Sequence, residues 1–335
     1  MEKTFHIQWH ITNFCNLRCR HCYQDDFSKM EDLPFFELKN IFKKIEKFLK
    51  ENDMKLVLDI TGGEPFLYED FLPLIEYISS STFVKKLGVI TNGFFINERY
   101  IDIFLKYSIE LKISAEGVDR ESYEYFRGKG NFEKFKRICE IIKESELQKT
   151  LMFTLLDINF PQIEKTFQFI EKYNFNCLVI ERFIPWGMGR KIKEYLISGR
   201  NWVKTVEILF EKCGIEKDFS LILPYRAFMV KIENMKYNLY GAPCIIGKDG
   251  CAIMPDGAVY PCRRLPFKIG DLKNQELSDI LKSPVLKKMT DRKFLKGKCG
   301  KCEIEDCLGC RALAYSLKGD FLEEDPLCFL DYLIK

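Results

Sequence analysis

Six short apolar runs, each followed by an amphipathic stretch, restrict this chain more than any other feature. The runs are HIQWHIT (6–12), KLVLDIT (55–61), KLGVIT (86–91), ELKIS (110–114), TLMFTLL (150–156) and CLVIERF (177–183). Near-continuous apolar runs of this length are what parallel strands covered on both faces require. Between them apolar residues recur at steps of three and four. Leu38, Ile41, Ile45 and Phe48 make one such stripe within 35–49, and 68–80, 97–107, 131–144 and 160–173 read alike. Asn97 and Asn131 stand where helix N-caps are expected. The alternation predicts an α/β fold, a partial (β/α)6 TIM-like barrel over residues 1–190 with right-handed crossovers. Eight units would close a full barrel, and six are found. Functional groups are expected at the C-terminal ends of these strands.

Beyond residue 190 the pattern changes. Residues 191–240 read as a bridge holding one helix at 201–213, and 241–335 as a small Cys-rich C-terminal domain with too few apolar runs for an ordinary core. No run of about eighteen apolar residues predicts a membrane span. The first residues lack a signal-peptide core, so a cytoplasmic location is expected. Lys and Arg number 52 against 49 Asp and Glu, a formal charge of +3. That is too little to make nucleic acid the main partner.

The 14 cysteines are unevenly placed: three within 15–22, eight within 244–328, and Cys139, Cys177 and Cys213 between. In a reducing compartment clustered thiols point to metal or redox chemistry, and the three isolated ones to packing. Cys15, Cys19 and Cys22 form C-x3-C-x2-C just after the first strand. Three thiolates can ligate three irons of a [4Fe–4S] cube and leave the fourth iron open for chemistry. A zinc knuckle completed by His21 is the competing account, although His21 lies directly between Arg20 and Cys22.

The triplet followed by Tyr23 resembles the signature of the radical S-adenosylmethionine (SAM) superfamily. The resemblance implies that SAM chelates the open iron and is cleaved by one electron to a 5′-deoxyadenosyl radical. It also implies that Tyr23 packs near the adenine. Gly62, Gly63 and Glu64 of TGGEP resemble the segment that holds the SAM amino group. Thr91-Asn92-Gly93 follows the third strand, with Asn92 as a binding candidate. Ser114 and Glu116 match positions that contact SAM carboxylate or ribose in relatives, many of which have Asp in place of Glu116. Arg127 is a candidate partner of the SAM carboxylate, and IPWGMGR (184–190) resembles the glycine segment near the adenine.

The eight C-terminal cysteines are Cys244, Cys251, Cys262, Cys299, Cys302, Cys307, Cys310 and Cys328. On spacing alone CGKCEIEDCLGC could be a zinc site of four thiolates. The whole set, with YPCRRLP and GDFLEEDPLC, resembles the SPASM extension, which carries two auxiliary [4Fe–4S] clusters. By that resemblance Cys244, Cys251, Cys262 and Cys310 hold the inner cluster and Cys299, Cys302, Cys307 and Cys328 the outer one. The chain has x4 and x2 where many relatives have x5 and x3, and since some relatives use a carboxylate in place of one cysteine, the resemblance makes Asp306 a reserve ligand.

The resemblance implies a radical SAM/SPASM oxidoreductase with SAM and three [4Fe–4S] clusters, fed by flavodoxin or ferredoxin. The leading substrate is a ribosomal precursor peptide or protein, with direct docking or a separate recognition protein. Thioether formation, carbon–carbon crosslinking or side-chain oxidation would follow. The alternative is tailoring of a small molecule such as a tetrapyrrole side chain. A non-catalytic electron carrier would need neither GGEP nor an open iron. No catalytic acid or base can be named. Glu181 and Arg182 are polar groups in an apolar run, fitting either a barrel-facing role or a rim salt bridge.

Overall fold

The computed structural model describes residues 2–333. Six strands lie parallel in chain order: β1 (Thr4–His10), β2 (Lys55–Thr61), β3 (Val84–Thr91), β4 (Glu110–Ser114), β5 (Lys149–Leu155) and β6 (Cys177–Arg182). Each strand lies within about two residues of its sequence-predicted span. The helices between them are α1 (Phe35–Asn52), α2 (Phe71–Ser79), α3 (Glu98–Lys106), α4 (Arg120–Arg127), α5 (Phe132–Lys143) and α6 (Ile163–Lys172); α7 (Gly199–Cys213) follows β6. Helix α4 is an addition to the expected pattern. Its start is fixed by Asp119, which accepts from the Ser122 amide at 3.0 Å. Asn97 caps α3 as expected, accepting from the Tyr100 amide at 3.2 Å. Asn131 does not cap α5; its side-chain amide donates to the Arg127 carbonyl at 2.8 Å.

Alternation along the strands separates two environments. On β1, Phe5 and Trp9 face α1, where they meet Phe48 and Phe42. Leu38, Ile41, Phe42, Ile45, Phe48 and Leu49 of α1 are buried in return, each adding roughly 1.5–3 kcal/mol by leaving water. The other face of the sheet is polar. Lys112 on β4 meets Asp59 on β2 at 2.7 Å, and Gln8 on β1 accepts from Arg263.

The C-terminal third does not stand apart. The hairpin of β7 (Tyr225–Glu233) and β8 (Lys236–Pro243), which the sequence left as bridge, extends the sheet antiparallel beyond β6. At the opposite edge β9 (Gly250–Ile253) pairs parallel with β1, followed by β10 (Ala258–Tyr260) and β11 (Gly270–Asp271). One sheet of eleven strands thus runs through all three segments. Ile246, Ile253, Val259 and Leu265 share one hydrophobic core with the barrel strands. The cysteine-rich segment is therefore joined to the barrel by ordinary packing.

Candidate active site

The loop bearing Cys15, Cys19 and Cys22 leaves β1 and is clamped on both sides by glycine segments. From one side the Gly63 amide donates to the Thr12 carbonyl and the Glu64 amide to Phe14, both at 2.8 Å. A Cβ on Gly62 would lie 2.3 Å from the Thr12 oxygen, and one on Gly63 2.2 Å from the Phe14 oxygen. Only glycine permits this approach. From the other side the Met188 amide donates to Gln24 at 3.1 Å and the Gly189 amide to Cys22 at 2.9 Å. Both glycine motifs of the sequence therefore shape the cysteine loop. Arg20 ties the loop to α4 through its amide and the Phe126 carbonyl, 2.9 Å apart.

The three thiols open onto one cavity of about 130 Å³ at the C-terminal ends of the strands. Tyr23, Gly62, Gly63, Asn92, Ser114, Glu116 and Arg127 line it too. Burial pushes the Cys19 thiol up to about 12 and Cys22 to about 11. Thiolates here need positive charge at sulfur, which a metal supplies. The donor set and its enclosure fit an iron–sulfur cluster with a ligand space beside it. Glu64 sits directly behind the two glycines, fully buried, accepting from the Thr91 hydroxyl at 2.6 Å and the Asn92 amide at 2.9 Å. Burial outweighs those bonds and lifts its carboxyl to about 7.

Glu116 and Arg127 form a buried pair, with contacts of 2.6 Å and 2.9 Å. The His21 Nε2 lies 3.0 Å from the same carboxylate. Burial works against the Glu116 charge, but Arg127 and His21 overcome it and hold the carboxyl at about 2. The structure thus joins three residues that sequence reasoning treated separately. It also directs the His21 Nε2 to a carboxylate.

The opposite wall carries groups the sequence reading missed. Arg263 and Arg264, directly after Cys262, reach the cavity and bind Glu181 of β6, with Arg263 at 2.8 Å and 3.1 Å. Arg263 also lies 5.8 Å from the Tyr23 ring centroid. The YPCRRLP phrase held the signal, but only the β9–β1 pairing reveals which site its arginines serve. Glu181 and Arg182 divide as alternation demands. Arg182 turns to the far side and meets Asp325 at 3.2 Å.

The C-terminal thiols fall into two groups. Cys299, Cys302, Cys307 and Cys328 line one small cavity. Burial raises the Cys244 and Cys262 thiols, and Cys310 lies near enough to both to add to the effect. Among the described residues no three His, Cys, Asp or Glu side chains converge on a single metal position. The outer sulfurs wall a space, an arrangement that fits a polynuclear cluster.

Cys251 lies elsewhere. It pairs with Ile7 of β1, is 2% exposed and belongs to the hydrophobic core. The β9–β10 register sets Tyr260 opposite Ala252. β10 ends at Tyr260 and Cys262 bridges Leu265 beyond it, whereas Cys251 stays within the sheet beside Ile7. Burial alone raises the Cys251 thiol, to about 12. Asp306 is exposed and paired with Lys248. Cys139 is wholly buried on α5, Cys177 is buried on β6, and Cys213 is half-buried at the end of α7.

Known proteins resemble this chain along most of its length. The radical SAM superfamily model matches residues 9–170, and the SPASM iron-sulfur cluster-binding domain matches 244–310. An AdoMet-dependent heme synthase of Methanosarcina barkeri is 26% identical over 341 residues, 96% of this chain and 95% of that protein. The subtilosin biosynthesis protein AlbA of Bacillus subtilis is 26% identical over 90% of this chain and 67% of its own length. In fold the chain resembles Streptococcus suis SuiB bound to precursor peptide SuiA. The TM-score is 0.71 at 16% identity, over 98% of this chain and 76% of that one. Among the described residues no helix is long and apolar enough to cross a membrane.

Proposed function

Because this chain belongs to the radical SAM superfamily and carries a SPASM domain, we propose that it cleaves SAM reductively beside Cys15, Cys19 and Cys22. The 5′-deoxyadenosyl radical so formed takes a hydrogen atom from a carboxylate-bearing substrate. One observation carries this reading: three half-buried thiols and an arginine pair from the auxiliary segment wall the same cavity. Cys15, Cys19 and Cys22 would hold the SAM-binding cluster, which supplies an electron and an open iron. Gly62 and Gly63 line the cavity, and the charge of ionised Glu64, buried next to them, would attract the SAM ammonium. Tyr23, Asn92 and Ser114 would line the nucleoside and amino-acid portions. Glu116 and Arg127 satisfy each other, so their task is to fix His21 and the cysteine loop.

In the C-terminal segment Cys299, Cys302, Cys307 and Cys328 would hold the outer cluster, and Cys244, Cys262 and Cys310 would serve the inner one. These clusters would take the second electron of a net oxidation, and a flavodoxin or ferredoxin would deliver the first. Arg263 and Arg264 give the substrate class. Two guanidiniums share one carboxylate, Glu181, so one positive charge is left to receive an acid. A tetrapyrrole side-chain carboxylate suits this wall, and the full-length likeness to heme synthases supports the same reading. A peptide substrate is the second reading, favoured by the likeness to AlbA.

The test is anaerobic. Reconstituted protein is given SAM and dithionite, and 5′-deoxyadenosine is measured with a carboxylated iron porphyrin, with a cysteine-containing precursor peptide, and with neither. Porphyrin-stimulated cleavage with a mass change in the porphyrin supports the first reading, and peptide-stimulated cleavage the second. No 5′-deoxyadenosine under any condition refutes the reaction class.

A further inference from the structure

The two auxiliary thiol groups differ in what donates to their sulfurs. In the outer group Arg226 donates to the Cys307 Sγ at 2.7 Å. Arg311 approaches the Cys299 Sγ at 3.6 Å, and the Asp325 amide donates to the same sulfur at 3.3 Å. In the inner group the donors are backbone amides: Leu313 to Cys310 at 3.4 Å, Ile246 to Cys244 and Arg264 to Cys262.

Arg226 occupies the wedge between the groups. It enters from β7, its Nε lies 3.3 Å from Asp325, and Cys307, Cys310 and Cys244 all favour its charge. Asp325 is 1% exposed. Its carboxylate also accepts from the Cys310 amide at 2.9 Å. One buried acid thus fastens Arg226 to both thiol groups. Gaining an electron makes a thiolate-bound cluster more negative. A fixed cation donating to a ligand sulfur favours that state and raises the potential.

We infer that Arg226 is a positioning residue that makes the outer auxiliary site accept an electron before the inner one. The inference rests on the two-cluster reading above. The step is one electron entering a [4Fe–4S] core in its 2+ state to give 1+, with no bond made or broken. In the test dithionite supplies that electron.

The experiment uses full-length protein carrying Cys15→Ala, Cys19→Ala and Cys22→Ala, so that only auxiliary signals remain. Iron is quantified, and each EPR signal is followed in a potentiometric titration with Arg226 intact, Arg226→Gln and Arg226→Lys. About eight irons per chain with Arg226 intact establishes the underlying two-cluster reading; about four, or zinc, removes it before Arg226 is considered. Given eight, the expected result is a negative shift of the higher of the two potentials in Arg226→Gln. The Arg226→Lys shift should be smaller, and the lower potential should move less. If Arg226→Gln loses iron, Arg226→Met is read in its place. Unchanged potentials, an equal shift of both signals, or iron loss in every variant overturns the inference.

Discussion

The two cysteine-rich ends of this chain solve opposite problems. At the N-terminal end three thiols open onto a roomy cavity in which Arg127 is paired with Glu116 while Arg263 and Arg264 share Glu181. At the C-terminal end four thiols close a small space, and a cation points straight at a sulfur. Room beside a three-thiol set admits a ligand to the metal. Enclosure with directed cations stabilises added electrons. The contrast teaches that cysteine number alone says little, since the two thiol groups differ in the room beside them and in the charge aimed at their sulfurs.

The sharpest way to break the comparison is to exchange the losses. Cys19→Ala should bring 5′-deoxyadenosine formation to the detection limit and remove about four irons, sparing the auxiliary EPR signals. Cys302→Ala should do the reverse, keeping SAM cleavage while product formation falls. Retained cleavage in Cys19→Ala would end the assignment of the N-terminal site.

A smaller effect separates paired charge from directed charge. Arg127→Met strands Glu116 in a buried setting, and breaking such a pair costs about 3–5 kcal/mol, read as a lowered midpoint in urea. The Glu116 carboxyl is held at about 2, below its unfolded value. Its contribution is therefore complete above the unfolded pKa of about 4.3 and is lost as pH falls toward 2. Arg127→Met should lack that part of the acid transition. A variant as stable as wild type at neutral pH and unchanged in acid would mean the pair does not hold the loop.

Glu64 gives a milder, pH-dependent effect. Its carboxyl is raised to about 7. The folded state then binds the proton more tightly than the unfolded chain, and ionising Glu64 costs stability between about 4.3 and 7. The same titration governs cation binding. SAM affinity should tighten as pH rises through about 7, by up to about tenfold per unit below that value. Glu64→Gln should be flat across the range. Equal slopes, read from the SAM-induced EPR shift at pH 6 to 8, would remove Glu64 from the SAM site.

Much of the barrel was legible because burial on both faces writes itself as apolar runs, and 55–61 and 110–114 coincide with β2 and β4. The C-x3-C-x2-C spacing marked the N-terminal thiols, because three cysteines so close in sequence share one loop, whereas the grouping of the C-terminal cysteines rested on family resemblance. What escaped was non-local. The β7–β8 hairpin reads as irregular because its strands are half-exposed. The pairing of β9 with β1 joins residues some 240 positions apart, and no periodicity signals it. That one pairing carries Arg263 and Arg264 to Glu181. Glu116 and Arg127 read as two separate SAM contacts for a related reason: α4, which presents Arg127 to Glu116, has no long apolar run to announce it.

The smallest expected effect discriminates most finely within the auxiliary region. Family resemblance counts Cys251 among the inner ligands, yet its strand register sends the side chain to the packed face beside Ile7. Strand alternation is a strict constraint: turning Cys251 to the face of Gly250 and Ala252 would require a one-residue slip of β9, which would also turn Ile253 out of the core. Cys251→Ala should therefore keep its iron and both auxiliary signals and lose only about 1 kcal/mol of packing. Cys244→Ala should lose iron and one signal. If the two variants lose iron alike, the metal draws β9 out of this register, and the inner site is a four-thiolate site after all. If they differ, the fourth inner position belongs to something other than this thiol. Added imidazole should then shift the inner EPR signal and leave the outer one untouched.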